Sequence, residues 1–211
     1  MDEQLEDYIL AHIDAEPDNL YRLYRDTNLQ LLYSRMCSGH LQGRLLKMLV
    51  QMIRPRLVLE LGTYSGYATL CLAEGLDSDT AHVHTIELDD ELEDFIREHF
   101  AQSPFGHRIT LHIGDVKDVL PTIEGEFDLI YIDANKRDYT AYYQAVLPRL
   151  RKGGFIIADN TLWDGKVAHE LHKMDAQTQG IMDFNDAVAQ DCSVEKVIIP
   201  LRDGLTLIRK K

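Results

Sequence analysis

Cysteines are few in this chain, and their spacing is not that of a structural framework. Its 211 residues contain three, an odd number, at Cys37, Cys71 and Cys192, and no C-x-x-C motif occurs. A disulfide framework usually has an even number of cysteines, and a structural zinc site usually has closely spaced pairs of them. The sequence therefore indicates neither kind of site, and we expect the three thiols to be reduced.

Basic residues are also scarce relative to acidic ones. The chain has 22 Lys and Arg against 35 Asp and Glu, which gives a formal net charge of −13. Proteins that bind nucleic acid obtain much of their affinity from Lys and Arg side chains that neutralise phosphates. We therefore expect no nucleic-acid partner, and a small neutral or metal-chelating substrate fits the charge better.

A basic leader and long apolar runs are missing as well. Residues 1–7 are acidic where a signal peptide would be basic. No apolar run approaches the roughly 20 residues that a membrane-spanning helix needs. These absences predict a protein that has no membrane partner and is located in the cytoplasm.

The chain does contain enough apolar sequence for one buried α/β core, because 45% of its residues are hydrophobic. We expect a single domain over residues 1–211 that begins with a helical extension over about residues 1–56. Pro55 stops the last helix of this extension. Apolar residues recur there at the three-four spacing of a helix, at Leu5, Tyr8, Ile9 and Ile13 and again at Leu41, Leu45, Leu46, Leu49 and Ile53.

From residue 57 onwards, short apolar runs alternate with helix-like stretches. The predicted strands are 57–61, 82–86, 109–113, 128–132 and 155–158. Such alternation is typical of right-handed βαβ units and predicts a parallel sheet. Two further strands, 194–199 and 205–208, are joined by a connection too short for a crossover helix, which predicts a closing antiparallel hairpin. The polar stretch 163–192 is expected to form a loop and a helix beside the strand ends.

The first predicted strand runs into a turn with the pattern Gly62-x-x-x-Gly66. Small residues there let the backbone approach a ligand, and the next helix presents its N-terminal amides. The dinucleotide fingerprint would instead require G-x-G-x-x-G, and position 64 is a tyrosine. The turn therefore predicts a cofactor site but disfavours pyrophosphate.

Three acidic residues stand at the ends of successive predicted strands: Glu60, Glu87 and Asp115. A carboxylate at the position of Glu87 can accept both hydroxyls of a ribose, and Asp115 could accept from an adenine amino group. Their joint negative charge would repel a phosphate-bearing cofactor and attract one that carries a ribose, an amino group and a cationic sulfonium. The alternative is that each acid merely caps a helix or ends a strand.

Oxygen-bearing side chains follow the fourth and fifth predicted strands. Asp133 leaves the fourth, and Asp159 and Asn160 leave the fifth. Because adjacent strands bring these positions together, we expect one hard cation there, Mg²⁺ by preference, with Ca²⁺ or Mn²⁺ as alternatives. An incomplete protein shell leaves positions for water and substrate, which is typical of a catalytic metal. A catechol-type acceptor would chelate the cation through two vicinal oxygens.

Lys136 lies three residues beyond Asp133 and is a candidate general base, provided that nearby cationic charge lowers its pKa. Both residues are assigned to the catalytic centre. The alternative for Lys136 is a solvated lysine at the start of a helix, which is the commoner situation.

Aromatic side chains near these positions could form the walls of a site for a flat substrate. Trp163 and Tyr139 are the candidates, although an aromatic residue near a sheet end more often simply packs. Asp138 is interpreted as a helix N-cap. His169 and His172 would share one helical face, but without a third ligand we assign them no metal.

At these residues the chain resembles the cation-dependent, S-adenosylmethionine-dependent O-methyltransferases that include catechol O-methyltransferase and the caffeoyl-CoA group. The resemblance covers about residues 30–211, and its most specific blocks are 57–67, 128–136, 159–165 and 200–205. It implies a Rossmann-like class I methyltransferase of the α/β class, with helices on both faces of a seven-stranded, mostly parallel sheet. The implied strand order is 3-2-1-4-5-7-6 with strand 7 antiparallel, and the implied assembly is a homodimer.

The resemblance also implies roles for individual residues. Lys136 would handle the catalytic proton. S-adenosylmethionine would be held by Glu60, Gly62, Ser65, Glu87, Asp115 and Asp133. The divalent cation would be held by Asp133, Asp159 and Asn160. Asn135 stands where the caffeoyl-CoA type often has a second acid, and the high acidic charge favours a free catechol over a CoA thioester as the acceptor.

The expected activity is methyl transfer from S-adenosylmethionine to one hydroxyl of a vicinal dihydroxy aromatic small molecule. One alternative is an NAD-dependent dehydrogenase on a similar sheet, which the missing glycine pattern and the closing hairpin disfavour. Another is a non-catalytic module that binds S-adenosylmethionine, which would have no need of an open metal site.

Overall fold

A computed structural model describes residues 3–169 and 175–211 of the chain. The helices in these ranges are α1 (Glu3–Leu10), α2 (Asp18–Gln30), α3 (Gly39–Ile53), α4 (Tyr67–Gly75), α5 (Glu93–Gln102), α6 (Val116–Val119), α7 (Tyr139–Val146) and α8 (Ala176–Gln190). The strands are β1 (Leu57–Leu61), β2 (His82–Glu87), β3 (Ile109–Ile113), β4 (Phe127–Ile132), β5 (Leu150–Asp159), β6 (Val194–Ile199) and β7 (Leu205–Lys210). His172, one of the two histidines considered above, lies outside the described residues.

The seven strands form one sheet in the order β3-β2-β1-β4-β5-β7-β6. Strands β1 to β5 are parallel to their neighbours, and β7 runs antiparallel to both β5 and β6. The order implied by the family resemblance is confirmed, and so is the closing hairpin predicted from the short connection. The short connection between β6 and β7 explains the antiparallel pairing, because a parallel pair would need a crossover of a dozen or more residues.

Strand β5 begins earlier than the sequence predicted. The expected strand was 155–158, whereas the observed strand starts at Leu150, which pairs with Phe127 of β4. The additional residues include Arg151, Lys152 and Gly153, which do not form an apolar run. Arg151 contributes by pairing with Asp128 on β4, so a polar contact accompanies the backbone ladder there.

Side chains from the two faces of the sheet pack into two core clusters. Val58 of β1 belongs to the cluster that includes Leu46 of α3 and Leu70 of α4, whereas its neighbour Leu59 belongs to the cluster that includes Phe184 of α8. This alternation follows from the two-residue period of a strand. Full burial of one side chain such as Leu46 contributes about 1.5–3 kcal/mol.

Helix α3, at the end of the N-terminal extension, is part of this core. A Cβ atom at Gly43 would lie 2.8 Å from the Cys71 sulfur, and one at Gly75 would lie 2.7 Å from the Lys47 carbonyl oxygen. Glycine at both positions therefore permits the close approach of α3 and α4. In the part of the chain that the structure describes, no helix is both long and apolar enough to cross a membrane.

Candidate active site

The carboxyl ends of β1, β4 and β5 lie side by side at one edge of the sheet. Leu61 pairs with Ile132, and Ile132 pairs with Ala158. The next residues, Gly62, Asp133 and Asp159, therefore leave three adjacent strands at the same level. Gly62 has φ +90°, and a Cβ atom there would lie 2.2 Å from the Asp133 carbonyl oxygen. Glycine is thus required at position 62 because a side chain there would clash with the backbone of Asp133, whether or not a ligand is bound.

The turn that follows β1 is hydrogen-bonded to the side chain of Glu87, the last residue of β2. One oxygen of this carboxylate accepts from the backbone N–H groups of Thr63 and Tyr64, at 3.0 and 2.7 Å, and the other accepts from that of Asp89 at 2.9 Å. A Cβ atom at Gly66 would lie 2.5 Å from the ring of Phe100. The carboxylate of Glu87, predicted at the cofactor rim, therefore also organises the turn.

Glu60 differs from the prediction, because it does not stand on an exposed rim. Its side chain is completely buried, and one oxygen accepts from the hydroxyls of Thr69 and Thr85. The other oxygen has no hydrogen-bond partner among the described residues. Burial raises the pKa of Glu60 to about 8. Position 60 faces inwards because it lies inside β1, one residue before the end of the strand.

Asp115 and Ser65, two further predicted cofactor residues, have local partners. Asp115 accepts from the backbone N–H of Lys117 at 2.8 Å and so caps α6, which agrees with the alternative interpretation of this acid. Ser65 is 1% exposed, and its hydroxyl lies 3.9 Å from the sulfur of Cys37.

Asp159 is the most enclosed of the predicted metal ligands, with 3% exposure. Its Oδ2 accepts from Gln42 Nε2 at 2.5 Å and from the Tyr131 hydroxyl at 3.0 Å, and its Oδ1 accepts from the backbone N–H of Asn160 at 2.7 Å. Burial, reinforced by the negative charge of Asp133, raises the pKa of Asp159 to about 6. The two carboxylates are therefore close enough to repel each other.

These residues fit a divalent cation. Two carboxylates that raise each other's energy gain from a positive charge between them, and Asn160 leaves β5 directly beside them in a left-handed conformation with φ 58°. Within residues 3–169 and 175–211, no group of three or more His, Cys, Asp or Glu side chains could hold a metal ion. A cation here would therefore keep coordination positions for water or substrate, as Mg²⁺ sites usually do.

Lys136 is buried, and its charged neighbour is an acid. Its Nζ donates to Asp133 Oδ1 at 2.6 Å and to the Tyr139 hydroxyl at 2.9 Å. Burial lowers the pKa of Lys136, but the charge of Asp133 and the Tyr139 hydroxyl outweigh burial and hold it above its usual value. The expectation that cationic charge lowers this pKa is wrong for the arrangement observed, because the ion pair stabilises the ammonium form. The alternative of a solvated lysine is wrong as well.

Tyr139 does not form a wall of a substrate site, contrary to the prediction. Its side chain has no exposed surface, its hydroxyl donates to the Asp159 carbonyl oxygen at 3.0 Å, and its ring meets that of Phe184 edge-on. Asp138 occupies the N-cap position of α7 but makes no capping hydrogen bond with its side chain. It accepts instead from the side-chain amide of Asn135 at 2.7 Å.

Trp163 lies at the wall of a cavity of about 640 Å³, and its role as a wall of a substrate site stays a prediction. Its indole nitrogen is buried and has no hydrogen-bond partner among the described residues. The other residues that line the cavity are Tyr24, Asn28, Ser34, Arg35, Cys37, Asp164, Lys166, Arg202 and Asp203. The cavity is large enough for a drug-sized ligand.

Two loops beside this cavity hold strained backbone. Loop 160–165 and loop 200–204 contact each other through the hydrogen bond from the Leu162 N–H to the Asp203 carbonyl, at 2.7 Å. Strained backbone in a folded protein tends to cluster at functional sites. The non-glycine residues with positive φ in the two loops are Asn160, Trp163, Asp164 and Arg202.

Three residues near this edge escaped the sequence interpretation: Gln42, Tyr131 and Arg202. Gln42 is 2% exposed and lies on the same helical face as Leu46 and Val50, which are fully buried. The sequence did contain a signal for Gln42, because it is a polar residue four positions before Leu46 in a row of otherwise apolar, inward-facing residues. Tyr131 lies inside a buried strand, where its hydroxyl needs a partner.

A family model described as O-methyltransferase matches residues 8–211. The chain belongs to the O-methyltransferase family. The family and the enzyme class expected from the sequence are thereby confirmed.

Individual relatives of this O-methyltransferase agree with the family model. The catechol O-methyltransferase of Niastella koreensis is 32% identical over 175 residues, which cover 79% of this chain and 78% of that protein. The caffeoyl-CoA O-methyltransferase of Mesembryanthemum crystallinum is 29% identical over 209 residues, which cover 92% and 80%. The structure of the O-methyltransferase TomG from Streptomyces achromogenes, in complex with SAM, has a TM-score of 0.91 at 26% identity and covers 100% of this chain and 99% of its own.

Proposed function

We propose that this O-methyltransferase transfers the methyl group of S-adenosylmethionine to one hydroxyl of a catechol-type aromatic molecule and depends on a divalent cation. The observation that carries the proposal is the set of oxygen donors from Asp133, Asp159 and Asn160 at the ends of two adjacent strands. The names of the relatives from Niastella and Mesembryanthemum support an acceptor of the catechol or caffeoyl-CoA type.

The cofactor would bind at the ends of β1 to β3. TomG, which shares the fold over the whole chain, is described in complex with SAM. In the present chain the turn from Gly62 to Gly66 approaches this edge, with Glu87 and Asp115 beside it and the buried Glu60 behind it. The carboxylates of Glu87 and Asp115 place negative charge there, which attracts a sulfonium cation.

The acceptor would bind in the cavity beside Trp163, where the indole ring can pack against a flat aromatic molecule. When bound, a divalent cation stabilises negative charge on an acceptor oxygen as a Lewis acid. The acceptor oxygen then forms a bond to the methyl carbon while the bond from that carbon to the sulfonium sulfur breaks, which yields a methyl ether and S-adenosylhomocysteine.

Lys136 is the group we propose to receive the proton of the acceptor hydroxyl. This role requires its ion pair with Asp133 to open and its Nζ to release one proton to solvent water before the acceptor binds, since an ammonium group has no lone pair. Tyr139 keeps Nζ at the sheet edge through its hydroxyl. Holding the reactants in one geometry accounts for much of the expected rate enhancement.

The decisive assay follows methyl transfer from S-adenosylmethionine to a small catechol with and without a metal chelator. Chelation should abolish turnover, and Asp159→Ala should reduce it by about a hundredfold or more, because an interaction of several kcal/mol with the transition state is lost. Asp138→Ala is the matched control, since Asp138 lies close by but outside the proposed donor set. Activity that is indifferent to the chelator, or unchanged in Asp159→Ala, contradicts the metal role.

Two alternative functions were considered from the sequence, an NAD-dependent dehydrogenase and a non-catalytic module that binds S-adenosylmethionine. Membership of the O-methyltransferase family argues against the NAD-dependent dehydrogenase. The non-catalytic module predicts binding of S-adenosylmethionine without turnover over a panel of catechols, and the open donor set argues against it. The homodimer, the cytoplasmic location and the single domain over residues 1–211 remain predictions.

A further inference from the structure

Buried polar side chains join α3 to the proposed metal site. Gln42 of α3 is 2% exposed, and Tyr131 of β4 is completely buried. Gln42 Nε2 donates to Asp159 Oδ2 at 2.5 Å and to the Tyr131 hydroxyl at 3.0 Å. The Tyr131 hydroxyl donates to the same Asp159 oxygen at 3.0 Å. Two side-chain donors therefore hold one oxygen of this carboxylate.

Arg202 and Asp159 together determine which end of the Gln42 amide faces Asp159. Its guanidinium lies 3.4 Å from Gln42 Oε1 and also donates to the backbone carbonyls of Cys37 and Ser38. A guanidinium only donates hydrogen bonds, so it favours the oxygen end of the amide. The reversed amide would place an oxygen against the carboxylate and an N–H group against Arg202. Both contacts would then be repulsive.

The two donors on Oδ2 leave the other oxygen of Asp159 less constrained. Oδ1 accepts from the backbone N–H of Asn160 and is not bonded to a side chain among the described residues. Without Gln42 the carboxylate would keep the Tyr131 hydroxyl as a donor, but it would be freer to rotate about its χ2 angle, and its buried charge would lose a compensating hydrogen bond. Groups that orient a metal ligand in this way commonly raise metal affinity.

We propose that Gln42 is a positioning residue that holds the Asp159 carboxylate in its cation-binding orientation, and that Arg202 acts through Gln42. This inference rests on the proposed function, because it assigns a cation to Asp159. It adds a contribution from the N-terminal extension to the site, since Gln42 lies on α3. Arg202 also lines the cavity, so the same contacts join the metal site to the acceptor site.

The test compares Gln42→Leu with the natural protein. The affinity for Mn²⁺ is measured by electron paramagnetic resonance of the free ion, and the affinity for S-adenosylhomocysteine by calorimetry. We expect Gln42→Leu to bind Mn²⁺ about 10- to 100-fold more weakly and to bind S-adenosylhomocysteine within about twofold of the natural protein. Tyr143→Phe removes a hydrogen bond to Asp191 of 2.8 Å at a distant contact between α7 and the end of α8 and should leave both affinities unchanged.

The outcomes separate this inference from the proposed function. Equal Mn²⁺ affinities in Gln42→Leu and the natural protein overturn the positioning role and leave the proposed function intact. If both ligands are weakened equally, Gln42 acts on the fold as a whole, and the inference fails. If the natural protein itself binds no Mn²⁺, the metal part of the proposed function fails, and the inference fails with it.

A double-mutant cycle tests the part played by Arg202. Arg202→Met alone should weaken Mn²⁺ binding, because the Gln42 amide loses the contact that orients it. In the Gln42→Leu background the same substitution should change Mn²⁺ affinity by no more than about twofold. If Arg202 acts through Gln42, the effects of the two substitutions are not additive. Fully additive effects would show that Arg202 does not act through Gln42.

Discussion

At the scale of single residues, the candidate site contains buried charged side chains, Asp159 and Lys136, each of which is hydrogen-bonded to specific neighbouring side chains. Asp159 was found from its position after a strand, and so were Asp133 and Asn160. Gln42 was not, because its contact with Asp159 joins positions that are 117 residues apart in the sequence. The direction of the Tyr139 ring was also missed, since the sequence does not determine which face the first residue of α7 presents.

Lys136 gives the first prediction at this scale. Lys136→Met keeps the apolar stem but removes the group that can accept a proton, so turnover should fall by about 10²–10⁴-fold. Affinity for S-adenosylhomocysteine should stay within about twofold, because the substitution leaves the turn at Gly62 intact. Steady-state kinetics and calorimetry measure the two quantities.

The control for this prediction is Lys152→Met, an exposed lysine near the amino end of β5, whereas the candidate site lies at the carboxyl end. Turnover of Lys136→Met within about threefold of the natural enzyme would show that Lys136 does not take part in proton transfer, given the usual size of that contribution.

At the scale of elements, the packing of α8 determines where Lys136 lies. A Cβ atom at Gly180 would come within 2.4 Å of the Lys136 carbonyl oxygen and 2.7 Å of the Arg137 Cα atom. These are backbone atoms, which cannot move aside as a side chain can. The helix and the turn at Lys136 can therefore approach closely only with glycine at position 180. The sequence shows the glycine but not its neighbour.

Gly180→Ala should therefore lower both stability and turnover. Alanine gains up to about 1 kcal/mol of helix propensity, but the clash displaces the turn, and we expect a net loss of about 1–3 kcal/mol in the free energy of unfolding. Urea unfolding and kinetics measure the two effects. Ala189→Gly, at an exposed position of the same helix, should lower stability without lowering turnover. A Gly180→Ala enzyme that is as stable and active as the natural one contradicts this account.

The β2 and β3 edge carries a cluster of half-buried histidines. His84 Nδ1 lies 3.0 Å from His112 Nε2, and His82 lies beside them, bonded to Thr110 and close to His107. Burial, together with the neighbouring His82 and His112, lowers the pKa of His84 to about 4. Burial also lowers the pKa values of His82 and His112.

These shifts predict a loss of stability in mild acid. An ordinary histidine in the unfolded chain takes up its proton near pH 6.5, whereas His84 in the folded protein does so near pH 4. Between these values the unfolded state binds more protons, so the free energy of unfolding falls as the pH is lowered. Urea unfolding of His84→Gln at pH 7 and pH 5 should show a smaller fall than the natural protein. An equal fall would exclude His84 as the cause. His12→Gln serves as the control, because position 12 follows α1 and is far in sequence from β2 and β3.

For the whole molecule, the strand pattern was sufficient to predict a parallel sheet with a closing antiparallel hairpin, whereas the strand order came from the resemblance to the family. Strand boundaries were less well predicted, because Arg151, Lys152 and Gly153, which follow Leu150 at the start of β5, do not form an apolar pattern. The predicted site residues all lie near one sheet edge, as parallel topology requires. Their exact partners depended on packing between distant segments, such as the contact of Arg202 with the start of α3.

Binding of the cofactor should stabilise the whole fold. At a free concentration of about 100 times its dissociation constant, S-adenosylhomocysteine should add about 2.7 kcal/mol to the free energy of unfolding. For a chain of this size that corresponds to a rise in Tm of about 5–10 °C. Thermal unfolding followed by circular dichroism measures the shift, with NAD at the same concentration as the control. A rise with NAD and none with S-adenosylhomocysteine would favour the dehydrogenase alternative.

The central claim is that Asp133, Asp159 and Asn160 hold one divalent cation between the methyl donor and the acceptor. Anomalous diffraction from crystals grown with Mn²⁺, S-adenosylhomocysteine and a catechol tests it most directly. We predict a single strong anomalous peak within about 2.0–2.3 Å of oxygen atoms from all three side chains. A peak elsewhere, or none at this edge while the crystals contain bound S-adenosylhomocysteine, would contradict the account.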